Sequence, residues 1–322
     1  MVPVEFLSEH LIRLKIPLPF ALRYVNCYLI RGSRGYTVID PGLRTKEAEV
    51  LWLAVLSELR AMSQHVEQIV LTHHHPDHYG MAGWLQERTN APVLLSETGI
   101  RQAALLWRDE QPLSARLLEL FARHGLARDQ QTEMTKHMQS FVEMVSPHPE
   151  VTVLAEGAVR FGDGLYEAIQ TPGHAAGHMC FYNAEEKHIL CGDHVLPHIS
   201  PNVSFLPGVE ANPLGAYLIS LQSISKLMLN MAYPGHREPW PDFAERALEI
   251  IAHHQQRLLQ MIHCLHHPLT AYEVCLMIFG QQLNTHQLRF ALAETIAHLV
   301  YLENNHLIMS VDVEESVIRF SR

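Results

Sequence analysis

The sequence predicts an α/β domain built in layers, interrupted by a helical insertion and followed by a smaller domain of winged-helix order. Three observations carry that reading. β-rich runs alternate with helical stretches between residues 25 and 95, and strand patterns resume between 151 and 234. Residues 97–145 carry apolar residues at helical spacing and no strand pattern. Residues 241–322 read as helix, helix, helix and hairpin. A chain of 322 residues holds one large domain or two unequal ones at roughly 100–200 residues each, so the boundaries are placed at 1–240 and 241–322.

The elements follow in order. Residues 25–31 (VNCYLIR) and 36–40 (YTVID) are β-rich runs on either side of GSRG, a hairpin signal. Residues 45–60 form a helix with Leu51, Leu53, Val55, Leu56 and Leu59 as apolar surface. VEQIVLT (66–72) is a strand, followed by a helix near 80–88 and a strand near 92–95. In the insertion, Leu105, Leu113, Leu117, Leu120 and Phe121 mark two or three helices, which either pack on the core or form an apolar lid with Trp107. Strands follow at 151–154, 165–170, 178–183 and 187–191. The proline-bearing stretch 197–214 is a loop, 213–228 a helix and 229–234 a strand. A long helix at 241–263 leads to helices at 269–279 and 284–303. Two β segments, 306–311 and 316–320, then flank an acidic DVEE.

Composition narrows the function classes. With 48% apolar and 18% charged residues the chain has ample core material, which excludes a mainly disordered protein. A formal charge of -10 disfavours a nucleic-acid coat or polybasic membrane binder, which needs cationic surface. The acidic DVEE tip and the few basic residues of 284–303 (Arg289 among them) point to packing or pocket closure by the C-terminal domain rather than DNA binding. Cys27, Cys180, Cys191, Cys264 and Cys275 are widely spaced and contain no CxxC pair, as expected of reduced buried thiols. The N-terminus carries Glu5, Glu9, His10 and Arg13 where a leader needs an apolar run. No window approaches the ~18 apolar residues of a membrane span. A cytoplasmic location without a membrane partner is expected. The unusual count is histidine, at 23.

Five of these histidines, His73, His75, His78, His174 and His236, form a pattern of potential donors at strand ends. VEQIVLT runs into His73-His74-His75-Pro76-Asp77-His78, in which His73 and His75 alternate along an extended backbone and point the same way. Pro76 helps redirect the chain before Asp77 and His78. Three later strand ends repeat the pattern: Thr171-Pro172-Gly173-His174, Gly192-Asp193 and Pro234-Gly235-His236. Seven nitrogen and carboxylate donors without thiolate suit a catalytic site for zinc, iron or manganese rather than a closed structural one. Asp40 in VIDPG sits at another strand end, where it would hydrogen-bond the ligand loops. His178, His253 and His254 are read as packing or supporting residues, and His194 as a loop histidine. Tyr79, His198 and Asn202 are candidate substrate contacts.

The motifs THHHPDH, TPGH, GD and PGH, in this order, resemble those of the metallo-β-lactamase superfamily, especially its dinuclear glyoxalase II-like hydrolases. The resemblance covers about residues 15–240. It implies an αββα sandwich with metals at one edge. His73, His75 and His174 would hold one ion, Asp77, His78 and His236 a second, and Asp193 would bridge them. The C-terminal region is similar to the winged-helix domain appended to beta-lactamase-like protein 2 and bacterial relatives.

What the resemblance implies is two divalent ions, zinc first and iron or manganese as alternatives, activating a bridging hydroxide against a small ester or thioester such as an acyl-CoA or lactone. Asp77 would also orient the nucleophile and pass on its proton. The alternatives are an endoribonuclease or phosphodiesterase of the same fold and, further off, a mononuclear iron enzyme resembling persulfide dioxygenases. His75 stands where flavodiiron enzymes have Glu. Asp193 is a carboxylate that many true β-lactamases lack. Leu196 stands where lactonases tend to carry Tyr, and no match exists to the basic residues by which glyoxalase II holds glutathione. The expected partner is a small-molecule substrate; nucleic acid is disfavoured, and the sequence is compatible with a homo-oligomer.

Overall fold

A computed structural model describes residues 4–62, 64–107, 112–313 and 317–322. The first sheet starts with β1 (Val4–Phe6) and β2 (Leu11–Pro17), followed by β3 (Tyr24–Gly32) and β4 (Gly35–Ile39). The helix α1 (Lys46–Ala61) begins at Thr45, whose hydroxyl accepts from Ala48 N–H, and buries Trp52, Val55, Leu56 and Leu59. Then come β5 (Val66–Val70), α2 (Pro76–Tyr79), α3 (Ala82–Thr89) and β6 (Val93–Leu95). The insertion forms α4 (Glu97–Trp107), α5 (Pro112–Arg123), α6 (Arg128–Gln139) and a short 3-10 turn, Glu143–Val145. The last strand of the first sheet, β7 (Val151–Val153), completes the order β1-β2-β3-β4-β5-β6-β7.

The second sheet contains β8 (Gly157–Phe161), β9 (Gly164–Gln170), β10 (Met179–Asn183), β11 (His188–Gly192) and, after α7 (Pro213–Ile224), β12 (Met231–Pro234). Its order is β12-β11-β10-β9-β8. The chain closes with α8 (Phe243–Cys264), α9 (Ala271–Phe279), α10 (Thr285–Asn304) and the hairpin β13 (Met309–Val313) and β14 (Val317–Ser321). Capping boxes start α9 at Thr270 with Glu273 and α10 at Asn284 with Gln287.

The layers follow from where apolar side chains meet. Tyr28, Ile30, Ile39 and Val70 of the first sheet pack against Phe161, Ala168, Phe181 and Leu190 of the second. The other face of the first sheet is covered by Trp52, Leu56, Trp84 and Leu85 from α1 and α3. The other face of the second is covered by α7, α8 and α10 through Tyr217, Leu221, Phe243, Ile250 and Leu292. The result is an αββα sandwich with an added C-terminal unit, as expected. Three strands are additional to the expectation. Leu11–Pro17 alternates Ile12, Leu14 and Ile16 with Arg13 and Lys15, a signal masked by reading this stretch only as a possible leader. Arg13 is buried among Glu5 and Glu238, which completes its pairing. The short β1 and the half-buried β8 carry weaker patterns.

The sheet directions locate the site. β9 and β11 both run antiparallel to β10, and β11 is parallel to β12, so the C-terminal ends of β9, β11 and β12 emerge on one edge. β5 is parallel to β4 and β6 in the facing sheet, and its continuation is tied across by Met179 N–H donating to Thr72 O at 2.9 Å. Two glycines allow the loops to approach. A Cβ on Gly173 (φ +131°) would lie 2.3 Å from Tyr217 Cβ, and one on Gly235 would lie 2.3 Å from Asp193 Oδ1. No helix among the described residues is long and apolar enough to cross a membrane. Cys27, Cys180, Cys191 and Cys275 are buried, and all five cysteines are free. Glu314 and Glu315 of the expected acidic hairpin tip lie outside the described residues.

Candidate metal centre

The four strand ends bring all seven donors together in two groups: His73, His75 and His174; and Asp77, His78, Asp193 and His236. Within each group the donor atoms lie within 4.8 Å of one another. His73 Nε2 is 2.9 Å from His75 Nδ1. Asp193 Oδ2 faces both groups, 3.4 Å from His78 Nε2 and from His236 Nε2 and 3.8 Å from His174 Nε2. His236 Nε2 is 3.1 Å from Asp77 Oδ2.

The opposite ring atoms are held by the protein, which fixes the tautomers. Thr72 O–H donates to Asp40 Oδ2 at 2.7 Å, so its oxygen accepts from His73 Nδ1–H at 2.9 Å and leaves His73 Nε2 a lone pair. His78 Nδ1–H donates to Asp40 Oδ2 at 2.8 Å. His174 Nδ1–H donates to the Asn202 carbonyl at 2.7 Å, and His236 Nδ1–H to the Tyr24 carbonyl at 3.0 Å. Asp40, in the left-handed region at φ +53°, thus sits beneath the site as expected and also accepts from Thr72 N–H at 2.8 Å.

The electrostatics differ between the two groups. Burial, followed by the neighbouring rings, pushes His73 and His75 well below the ordinary imidazole range. Burial also lowers His174 against the opposing pull of Asp193. Such rings are neutral, the form a metal ligand needs. Burial also opposes charge in the second group, but there the partners outweigh it. Asp193 and Asp40 raise His78, and Asp193 and Asp77 raise His236 to about 10. His78 and His236 hold the Asp77 carboxyl below its usual range, and the same two hold Asp193 well below. His78 Nε2, His174 Nε2 and Asp193 Oδ1 are buried without a hydrogen-bond partner among the described residues. Unpaired buried polar atoms are costly, and these three are of metal-ligating type and belong to the two donor groups. The donor set therefore fits a metal site.

The sequence model of the metallo-beta-lactamase superfamily matches residues 21–252. The chain belongs to this superfamily. A second model, the metallo-beta-lactamase-like C-terminal domain, matches residues 258–322. Among similar proteins, the "Probable metallo-hydrolase YqjP" of Bacillus subtilis is 27% identical, over 94% of this chain and 95% of its own. The "Atrochrysone carboxyl ACP thioesterase" of Passalora fulva is 24% identical, over 90% of this chain and 74% of its own. A crystal structure of a metallo-beta-lactamase family protein from Thermus thermophilus is 33% identical, with TM-score 0.87, and covers 98% of this chain and 100% of its own.

Beside the donors of this superfamily member lies a cavity of about 320 Å³. His75, Asp77, His174, Asp193 and His236 line it. The insertion contributes Leu106, Trp107, Leu117, Met138 and Phe141, and α10 contributes His286, Arg289 and Phe290. The insertion is therefore a wall of the cavity, and so is the C-terminal unit. Which α10 side chains reach the cavity is not visible in helical periodicity, because that depends on how the unit docks.

The three candidate substrate contacts fare differently. Tyr79 is buried, with its hydroxyl 3.4 Å from His148 Nδ1, and is not part of the cavity lining. His198 is exposed, with φ +65°, and also lies outside the lining. α2 turns Tyr79 into the first-sheet core, and the loop places His198 at the surface. Asn202 does line the cavity, but its amide donates to Glu294 Oε2 at 2.7 Å and to Phe290 O at 3.3 Å, so it ties the His174 loop to α10. His178 accepts from Asp193 N–H at 3.2 Å and pairs with Thr171 Oγ1 at 2.8 Å. His254 Nδ1 is 3.0 Å from His298 Nε2 in the helical layer. Sequence reasoning missed His74 and Gln102, cavity-lining residues whose buried polar side-chain atoms have no partner among the described residues.

Proposed function

We propose that the protein is a dinuclear metallo-hydrolase that cleaves a small ester or thioester. The observation that carries this reading is the juxtaposition of the seven donors with a largely apolar cavity, the setting for an acyl chain beside a hydrolytic centre. The thioesterase name of the Passalora fulva relative supports the same substrate class. His73, His75 and His174 would hold one divalent ion, Asp77, His78 and His236 another, and Asp193 would be shared; zinc suits this nitrogen and carboxylate set best. When bound, two such ions supply Lewis acidity toward a carbonyl oxygen and acidify water near neutral pH.

The rest is the work of this chain's residues. The Asp77 carboxylate, kept ionised by His78 and His236, accepts a proton from the attacking water at a carboxylate oxygen and returns it to the leaving alcohol or thiol. Asp40, Thr72 and the carbonyls of Asn202 and Tyr24 hold the imidazoles in one tautomer and orientation. Leu106, Trp107, Phe141 and Phe290 exclude water around the acyl group.

A panel of acyl-CoA thioesters, simple esters, lactones and phosphodiesters, offered to the metal-loaded protein, tests this. We expect turnover of at least one acyl class and none of the phosphodiesters. Cleavage of phosphodiesters alone would replace this reading with the nuclease one.

A further inference from the structure

We propose that Arg289 of α10 receives an anionic group of the substrate, so that the C-terminal unit selects an acyl substrate bearing a carboxylate or phosphate away from the scissile bond. The inference rests on the hydrolase reading above and deepens it. Arg289 lines the cavity, yet it has no carboxylate partner and no hydrogen bond among the described residues. Instead its guanidinium lies near two rings, 4.9 Å from the centroid of Phe290 and 5.9 Å from that of Phe141. These contacts orient the planar group and leave its N–H fork free.

Among the described residues, the surroundings offer no internal counter-ion. His137 Nε2 and His286 Nδ1 are 3.1 Å apart and pair with each other. Burial first, then Arg289, lowers His137 to about 4 and also lowers His286, so both are neutral at pH 7. Burial alone lowers Arg289 to about 10, which leaves it charged at neutral pH. Glu210 also lines the cavity, but it is not paired with Arg289; its Oε1 accepts from Asn212 N–H at 3.5 Å. The remaining carboxylates of the lining, Asp77 and Asp193, belong to the metal centre. A cation held in a largely apolar wall without a partner is costly, and a bidentate carboxylate or phosphate relieves that cost.

The test uses the full metal-loaded chain and matched thioesters. One series has a neutral acyl chain, one the same chain ending in a carboxylate, and one a neutral acyl chain on a phosphorylated thiol. We expect the wild type to favour one anionic series over the neutral one by about ten- to a hundredfold in kcat/KM. The favoured series distinguishes an acyl-side carboxylate from a leaving-group phosphate. R289Q should bring that ratio close to one, and R289K, which keeps charge without the fork, should retain part of it. Calorimetry with product-like dicarboxylates and monocarboxylates of equal length provides a second readout. The dicarboxylate should bind more tightly to the wild type, or the phosphorylated thiol should if the leaving group carries the anion, and the advantage should vanish in R289Q. Equal handling of all series by the wild type, or a preference retained in both variants, would overturn the proposal. If no ester or thioester is cleaved but the calorimetric preference and its loss in R289Q hold, the hydrolase reading fails and the Arg289 site stands.

Discussion

Asp193→Ala should abolish metal binding and turnover together, with hydrolysis falling by more than about a hundredfold, beyond the range found for partners that only support ligands. Asp193 Oδ2 faces both donor groups, at 3.4 Å from His78 Nε2 and His236 Nε2 and 3.8 Å from His174 Nε2. Without it the second group keeps one carboxylate, Asp77, against two imidazoles. His236 loses the first of the charges that raise it to about 10. On the proposed dinuclear reading, either cation would then meet a site with less negative charge and without the shared donor. His73→Ala should act similarly by opening the first group. Elemental analysis and turnover measured on the same preparation check this, with a thermal melt to confirm folding. Full metal content with full turnover would remove Asp193 from the centre.

Asp40→Ala should destabilise the metal-free protein by at least about 3 kcal/mol. Asp40 is only 2% exposed and accepts from three donors, Thr72 N–H, Thr72 O–H and His78 Nδ1–H, at 2.7–2.8 Å. Each donor left buried and unpaired costs about 1–3 kcal/mol. Alanine would also have to hold the left-handed backbone at φ +53°, which an Asp tolerates better. Asn at the same place keeps the backbone and much of the shape but not the charge. Asp40→Asn should therefore fold better than Asp40→Ala while still weakening the metal site by about ten- to a hundredfold, because an NH2 replaces one accepting oxygen and His78 loses the negative charge behind it. Denaturant unfolding of the metal-free variants measures the first effect, and chelator competition the second. An Asp40→Ala midpoint equal to wild type would contradict the account.

The alternation of strands and helices was legible because each sheet residue faces either the inner sheet or a helix, which imposes a period on the chain. The donors were legible for a different reason. THHHPDH follows a buried strand, and Gly173, Gly192 and Gly235 stand beside the other three ligand positions, so composition, spacing and turn chemistry agree at four points. Asp40 was visible from its place at a strand end, but the Thr72 hydroxyl that relays its charge to His73 was not, since threonine after a strand is unremarkable in one dimension.

Closeness along the chain is a poor guide to closeness in the cavity. Tyr79 and His198 stand near donors in sequence, but a single turn of α2 and one left-handed residue direct them elsewhere. Conversely, Arg289 lies 53 residues beyond the last donor, His236, and reaches the cavity only because α10 packs on α6 and α7. The scarcity of basic residues on this helix points to packing or pocket closure, and the docked helix makes Arg289 part of the cavity wall.

The central claim is that these seven side chains hold two metal ions that together support ester or thioester hydrolysis. Titrating metal into the metal-free protein while following cleavage of the preferred acyl substrate tests it most directly. The account predicts that activity rises to a plateau at two equivalents of metal per chain. A plateau at one equivalent, or no acyl hydrolysis at any loading, would contradict it.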